Sequence, residues 1–145
     1  MKAWETLSTE VIHKNPWTEY RHDEYRLPNG EKGDYYYLAT TGSVMLVPVL
    51  DDGRVLMVRQ YRYLFHKESL EFPGGGKREN QTFSEAARAE LEEEAGYTAD
   101  RFDHVQDIAY SNGVFKEVGA VYLATGLKEG EVQPDATESM ILLPM

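Results

Sequence analysis

Alternating apolar and polar positions dominate the first half of the chain. Tyr20 to Leu27 and Asp34 to Thr40 flank Leu27-Pro28-Asn29-Gly30, whose residues favour a turn, and together they predict an N-terminal antiparallel hairpin. Ser43 to Leu50 and Val55 to Tyr63 are apolar and rich in β-branched residues. Asp51-Asp52-Gly53 between them tolerates positive φ, so a second hairpin is expected there. Ser69 to Phe72 predicts a short strand that runs into Pro73-Gly74-Gly75-Gly76. The period then changes. Phe83 to Ala95 is rich in alanine, glutamate and leucine, Thr82 and Glu85 match a capping box, and Gly96 stands where a helix end takes left-handed φ. This is the one strong helix. Phe102 to Ala109, Glu117 to Ala124 and Ser139 to Leu143 read as further strands. The pattern is that of an α+β fold with a mixed sheet and few helices.

No repeat, linker or low-complexity tract breaks the pattern, and 145 residues suit a single compact domain, 1–145. Hydrophobic residues at 41% and charged residues at 28% exclude the composition of a disordered chain. The absence of cysteine excludes disulfides, thiolate zinc sites and a cysteine nucleophile. The first residues lack the apolar core of a leader peptide, and no apolar run approaches the roughly 20 residues that span a bilayer. A cytoplasmic protein without membrane contact is expected. The formal net charge of −10 argues against nucleic acid as a partner, because that binding draws on lysine and arginine at phosphates. An acidic protein that handles a phosphate substrate needs divalent cations between its carboxylates and the substrate oxygens.

Glu90, Glu93 and Glu94 fall three and four residues apart, which puts their side chains on one face of the helix, about 5–6 Å apart at Cβ. Repulsion between such neighbours costs only tenths of a kcal/mol in water, so a solvated acidic face explains the glutamates taken alone. The glycine run upstream changes the balance. Glycines let the backbone approach closely and leave carbonyls free to point inward, so a loop carbonyl and the helix carboxylates can share a cation. Oxygen-only ligands suit magnesium or manganese. The four histidines, His13, His22, His66 and His104, lack ligand spacing and receive no role. No serine sits in a nucleophile elbow.

Counted from Gly75, the segment resembles the signature of the Nudix family. That signature reads glycine, five residues, glutamate, seven residues, arginine-glutamate, an aliphatic residue, any residue, glutamate-glutamate, any residue, glycine and a hydrophobic residue. Gly75, Glu90, Leu91, Glu93, Glu94, Gly96 and Tyr97 match, whereas Gln81 replaces the first glutamate and Ala89 replaces the arginine. The register is secure, because Glu90 to Gly96 fits in one way only and Pro73-Gly74-Gly75 precedes it. Val58-Arg59-Gln60-Tyr61-Arg62, Leu70 to Gly75, Tyr122-Leu123-Ala124 and the opening Asn15-Pro16-Trp17 are similar to the ADP-ribose pyrophosphatase branch. That branch usually has serine-proline-glycine after the box, and this chain has Ser111-Asn112-Gly113.

The resemblance implies a Nudix-like α/β/α sandwich and a hydrolase, dependent on magnesium with manganese as the other candidate, that cleaves a nucleoside diphosphate linked to another moiety, with ADP-ribose or a nucleotide sugar foremost. It implies a metal cluster of Glu90, Glu94 and the Gly74 carbonyl, with Glu93 as a supporting catalytic group. Arg59 is expected on a phosphate. Glu138 is the expected catalytic base, and Glu117 is the other candidate, placed among substrate-facing residues. Trp17 and Tyr36 fall near the positions from which the branch stacks a base, across a homodimer formed by strands in about residues 8–40. The usual last helix has no counterpart before Met145. A degenerate domain that binds a nucleotide with little hydrolysis is the alternative, because Gln81 and Ala89 depart together.

Overall fold

The computed structural model describes residues 2–130 and 140–144. Its strands, in chain order, are β1 (Glu5–Lys14), β2 (Glu19–Arg26), β3 (Lys32–Ala39), β4 (Ser43–Pro48), β5 (Leu56–Arg62), β6 (Lys67–Glu71) and β7 (Gly74–Gly76). The helix α1 (Phe83–Ala95) follows, then β8 (Tyr97–Ile108), β9 (Phe115–Lys116), β10 (Gly119–Glu129) and β11 (Met140–Pro144). The chain divides into two compact units, one of residues 1–41 and 109–118, the other of residues 42–108 and 119–145.

The first unit is a four-stranded sheet in the order β1-β2-β3-β9. The expected hairpin is β2 and β3. Leu27 donates to the Glu31 carbonyl at 2.7 Å and Gly30 closes the turn at φ +94, a backbone region that glycine enters without cost. The preceding strand β1 falls mostly within the stretch of about residues 8–40 expected to hold strands, but its bounds were not marked. It is an edge strand in which Leu7 alone is half-buried, so no alternation marks it. Its turn into β2 is held by Asn15, whose Oδ1 accepts from the Trp17 and Thr18 amides at 2.9 and 2.8 Å.

The second unit has two sheets. One is mixed, in the order β7-β4-β10-β8, with β4 and β10 parallel and the other pairs antiparallel; the other is antiparallel, β11-β5-β6. Alternation along β4 buries Val44, Leu46 and Pro48 on one face. On that face α1 lays Ala86, Ala87, Leu91 and Ala95, and Ala120, Tyr122 and Ala124 of β10 complete the core. Leu46 and Leu91 are fully buried, and each contributes on the order of 2 kcal/mol of apolar transfer.

The expected hairpin of β4 and β5 is a corner. Its Asp-Asp-Gly turn forms, with Leu50 donating to the Arg54 carbonyl at 2.8 Å and one bridge between Val49 and Val55. Beyond that bridge the strands part, because both edges of β4 are taken by β7 and β10 while β5 pairs with β6 and β11. No helix among the described residues is long and apolar enough to cross a membrane.

Candidate active site

Helix α1 runs over the thirteen residues its pattern predicts. Thr82 and Glu85 satisfy two otherwise unpaired amides reciprocally: the Glu85 amide donates to Thr82 Oγ1 at 3.2 Å and the Thr82 amide to Glu85 Oε2 at 2.8 Å. These backbone and side-chain bonds hold the Glu85 carboxyl below its ordinary range. Gly96 ends the helix at φ +66 and turns its amide back onto the Glu92 and Leu91 carbonyls. Both ends are therefore fixed, and with them the side of the helix on which Glu90 and Glu94 stand.

Glu94 is 6% exposed, unusual for a charged group, and its Oε2 accepts from the Gly74 amide at 2.8 Å. One turn earlier, Glu90 lies against Gly75. A Cβ on Gly75 would sit 2.6 Å from both Cδ and Oε2 of Glu90, and closer still to Oε1. The glycine run is strand as well as loop. Gly74 and Gly75 pair with Met45 and Val44 of β4, and a Cβ on Gly74 would meet Met45 Cα at 3.1 Å and the Val44 carbonyl closer still. Each glycine is thus demanded by a different neighbour, backbone at 74 and a helix carboxylate at 75. The run brings Gly74 to Glu94 through its N–H, which orients the carboxylate.

Glu93 stands at the margin, half-exposed, with an Arg78 guanidinium nitrogen 3.8 Å from its Oε1. Gln81 Oε1 accepts from the Arg78 amide at 3.0 Å, which ties the segment before the helix to the same residue. Arg88 lies with its guanidinium 4.4 Å over the Phe102 ring. Its neighbour Ala89 is half-buried. Arg59, in the middle of β5, lies opposite Leu70 of β6, with Nε 3.7 Å from Glu68 Oε2. That Nε is buried and has no hydrogen-bond partner among the described residues, so it is a donor lacking an acceptor.

Trp17, Tyr36 and Glu117 belong to the first unit. Trp17 is 79% exposed and Tyr36 52% exposed, so neither is a core ring. Glu117 is half-buried in the short link between β9 and β10. Glu138 lies outside the described residues. His22, which carried no signal in the sequence, stacks on Tyr36 with ring centroids 4.5 Å apart and planes within 14°. Its position opposite Tyr36 follows from strand register, which the spacing of histidines cannot reveal.

Among the described residues, no group of three His, Cys, Asp or Glu side chains is placed to hold an ion by itself. Two adjacent carboxylates on a rigid helix, beside a close backbone strand, suit a magnesium-type cation, which keeps waters and completes its shell with substrate oxygens.

The chain matches the family model of the NUDIX domain over residues 39–141 and that of the nucleoside diphosphate sugar hydrolase N-terminal domain over residues 4–38. It is 29% identical to a methanol dehydrogenase activator of Bacillus methanolicus over 126 residues, 87% of this chain and 68% of that protein. To an ADP-ribose pyrophosphatase of Bacillus subtilis (strain 168) it is 29% identical over 140 residues, 95% of this chain and 76% of that protein. A solved structure of an ADP compounds hydrolase shares the fold with a TM-score of 0.82 and 21% identity, over 99% of this chain and 80% of that one.

Proposed function

The chain belongs to the Nudix family, and on that premise we propose that it hydrolyses the pyrophosphate bond of an ADP-containing substrate, ADP-ribose foremost, with magnesium or manganese. The observation that carries the proposal is the pair Glu90 and Glu94, one turn apart, with Glu94 buried and held by the Gly74 amide and Glu90 seated on Gly75. The relative in Bacillus subtilis supplies the substrate class.

Glu90 and Glu94 would hold the cation together with the Gly74 carbonyl. The cation, when bound, neutralises charge on the phosphoryl oxygens and lowers the pKa of a bound water. The buried Glu94 is preorganised by its amide bond, so its oxygens need no rearrangement as charge develops. Arg59, whose side chain is 42% exposed beside Glu68, offers its guanidinium to a phosphate oxygen. Glu93 supports the carboxylate pair from the margin, and Glu138 or Glu117 takes the proton from the attacking water. Trp17 and Tyr36, exposed in the first unit, receive the base.

The assembly we propose is a cytoplasmic homodimer paired through the N-terminal strands. Edge strand β1 and the residue before it expose Trp4, Val11 and Ile12, apolar surface that a second copy would cover. Light scattering at micromolar concentration should return about twice 16.6 kDa. A panel of ADP-ribose, nucleotide sugars, dinucleoside polyphosphates and nucleoside triphosphates tests the activity. ADP-ribose should yield AMP and ribose 5-phosphate only when magnesium or manganese is present. Metal-independent turnover, or none on the whole panel, refutes the proposal.

A further inference from the structure

On β2, Tyr20 and His22 alternate onto one face of the sheet, and Tyr36 of β3 lies directly opposite His22. The His22 and Tyr36 rings are nearly parallel at 4.5 Å, and Tyr20 extends the stack at 6.2 Å. On the other side of His22, Glu10 of β1 occupies the facing position. His22 is itself anchored: Nε2 lies 2.7 Å from Asp34 Oδ1. A carboxylate only accepts, so Nε2 carries the proton and the ring orientation is set in either charge state of the imidazole. Strand β3 pairs with β9 only at Leu38 and Ala39. At Tyr36, therefore, the side away from β2 has no strand beside it among the described residues. One side of this tyrosine is backed by an anchored ring and the ring as a whole is still 52% exposed.

We infer that His22, held by Asp34, is a positioning residue that fixes the Tyr36 ring as an open stacking face for the nucleobase of the substrate. The inference rests on the proposed function in two respects, that the substrate brings a base and that Tyr36 receives it. A tyrosine on a bare strand samples several rotamers and must be ordered when a ligand stacks on it. A ring already backed by a second ring avoids that cost, and the gain appears as affinity rather than as turnover. His22 touches no reacting atom in this arrangement. It acts through Tyr36 alone.

The test is calorimetry on the full chain, with magnesium present, using two ligands: ADP, which has the base, and inorganic pyrophosphate, which does not. His22→Ala should weaken ADP by roughly two- to tenfold, the loss expected when one side chain must be ordered on binding. Pyrophosphate affinity should stay within about twofold, inside the spread of uncoupled substitutions. His22→Phe restores a flat ring but not the Asp34 bond, and should recover part of the lost ADP affinity. In the Tyr36→Ala background, His22→Ala should add nothing, because a positioning residue has no effect once the group it positions is gone. An additive double variant overturns the inference, as does equal loss on both ligands or no loss on ADP. Hydrolysis of ADP-ribose is measured separately. A wild type that binds ADP as described and leaves ADP-ribose intact sinks the catalytic reading and leaves this one standing.

Discussion

Gly75→Ala is the sharpest perturbation of the site. The new Cβ would start 2.6 Å from Glu90 Cδ and Oε2, whereas ordinary van der Waals contact begins near 3.4 Å. The Glu90 carboxylate must therefore retreat by close to 1 Å, and it has the freedom to do so because it is the far end of a flexible side chain. Displacement of about 1 Å at a reacting constellation costs on the order of a hundredfold in rate. Little stability should be lost, since no backbone has to move. Gly74→Ala is the contrasting variant. There the Cβ meets the β4 backbone at Val44 and Met45, so a strand must shift, at a cost of about 1–3 kcal/mol or more. The assay pairs magnesium-dependent release of AMP from ADP-ribose with thermal melting. The expected pattern is a Gly75→Ala variant that melts within about 2 °C of the parent and turns over roughly a hundredfold more slowly. The Gly74→Ala variant should melt several degrees lower. A Gly75→Ala variant with kcat within about threefold of the parent would show that the Glu90 carboxylate is not engaged where it lies, against the rate cost argued for its displacement.

Glu94→Gln keeps an acceptor for the Gly74 amide and removes a buried charge, so melting should hold or rise while turnover falls at least about tenfold, read from kcat across a magnesium titration. Trp17→Ala should raise KM for ADP-ribose with stability changed by less than about 0.5 kcal/mol, because the ring is 79% exposed; a large loss in a melt would place the ring in packing instead. Hydrogen bonds from Arg62 are the main reason the Glu71 carboxyl titrates below its ordinary range. A depressed carboxyl stabilises the fold above the unfolded value of about 4.3, and that contribution is lost as pH falls through the folded value. The melting gap between parent and Arg62→Leu should accordingly be full from pH 7 down to about 5 and close in more acid solution; a gap that ignores pH contradicts the pairing. Gln81→Glu combined with Ala89→Arg should raise turnover by more than the product of the single changes, since the pair restores both ends of one charge network; a merely multiplicative gain refutes the coupling.

The helix and its carboxylates were legible in the sequence because their signals are local. A capping box, an alanine-rich body and a glycine past the end each act within one turn, and the spacing of Glu90 and Glu94 fixes their shared side. The hairpin of β2 and β3 was legible for the same reason. The bounds of strand β1 were hidden because an edge strand with a single half-buried side chain has no face to alternate. Strand β7 was hidden because three glycines carry no β-propensity; β4 sets their conformation by leaving no room for a side chain at Gly74. The parting of β4 and β5 depends on which strands claim the edges of β4, and those come from distant parts of the chain. Spacing puts Glu90 and Glu94 on one side of α1 but carries no peptide orientation, so the Gly74 amide on Glu94 was beyond its reach. The ring pair of His22 and Tyr36 needed register across two strands, which no single segment encodes.

The parallel pairing of β4 with β10 has a consequence for how the chain is made. Ser43 meets Gly119 and Val44 meets Ala120, partners roughly 75 residues apart. At about 5–20 residues per second of synthesis, the later strand leaves the ribosome some 4–15 s after the earlier one. Until then one edge of β4 is unpaired, and the apolar face of Val44 and Leu46 has its helix but not its neighbouring strand. Local helix formation takes about a microsecond, so α1 waits on the sheet rather than the reverse. Substitutions in β10 that slow its docking but leave the finished protein equally stable would prolong the unpaired state beyond this interval, and their effect would be seen as lower soluble yield from cells rather than as a lower melting temperature.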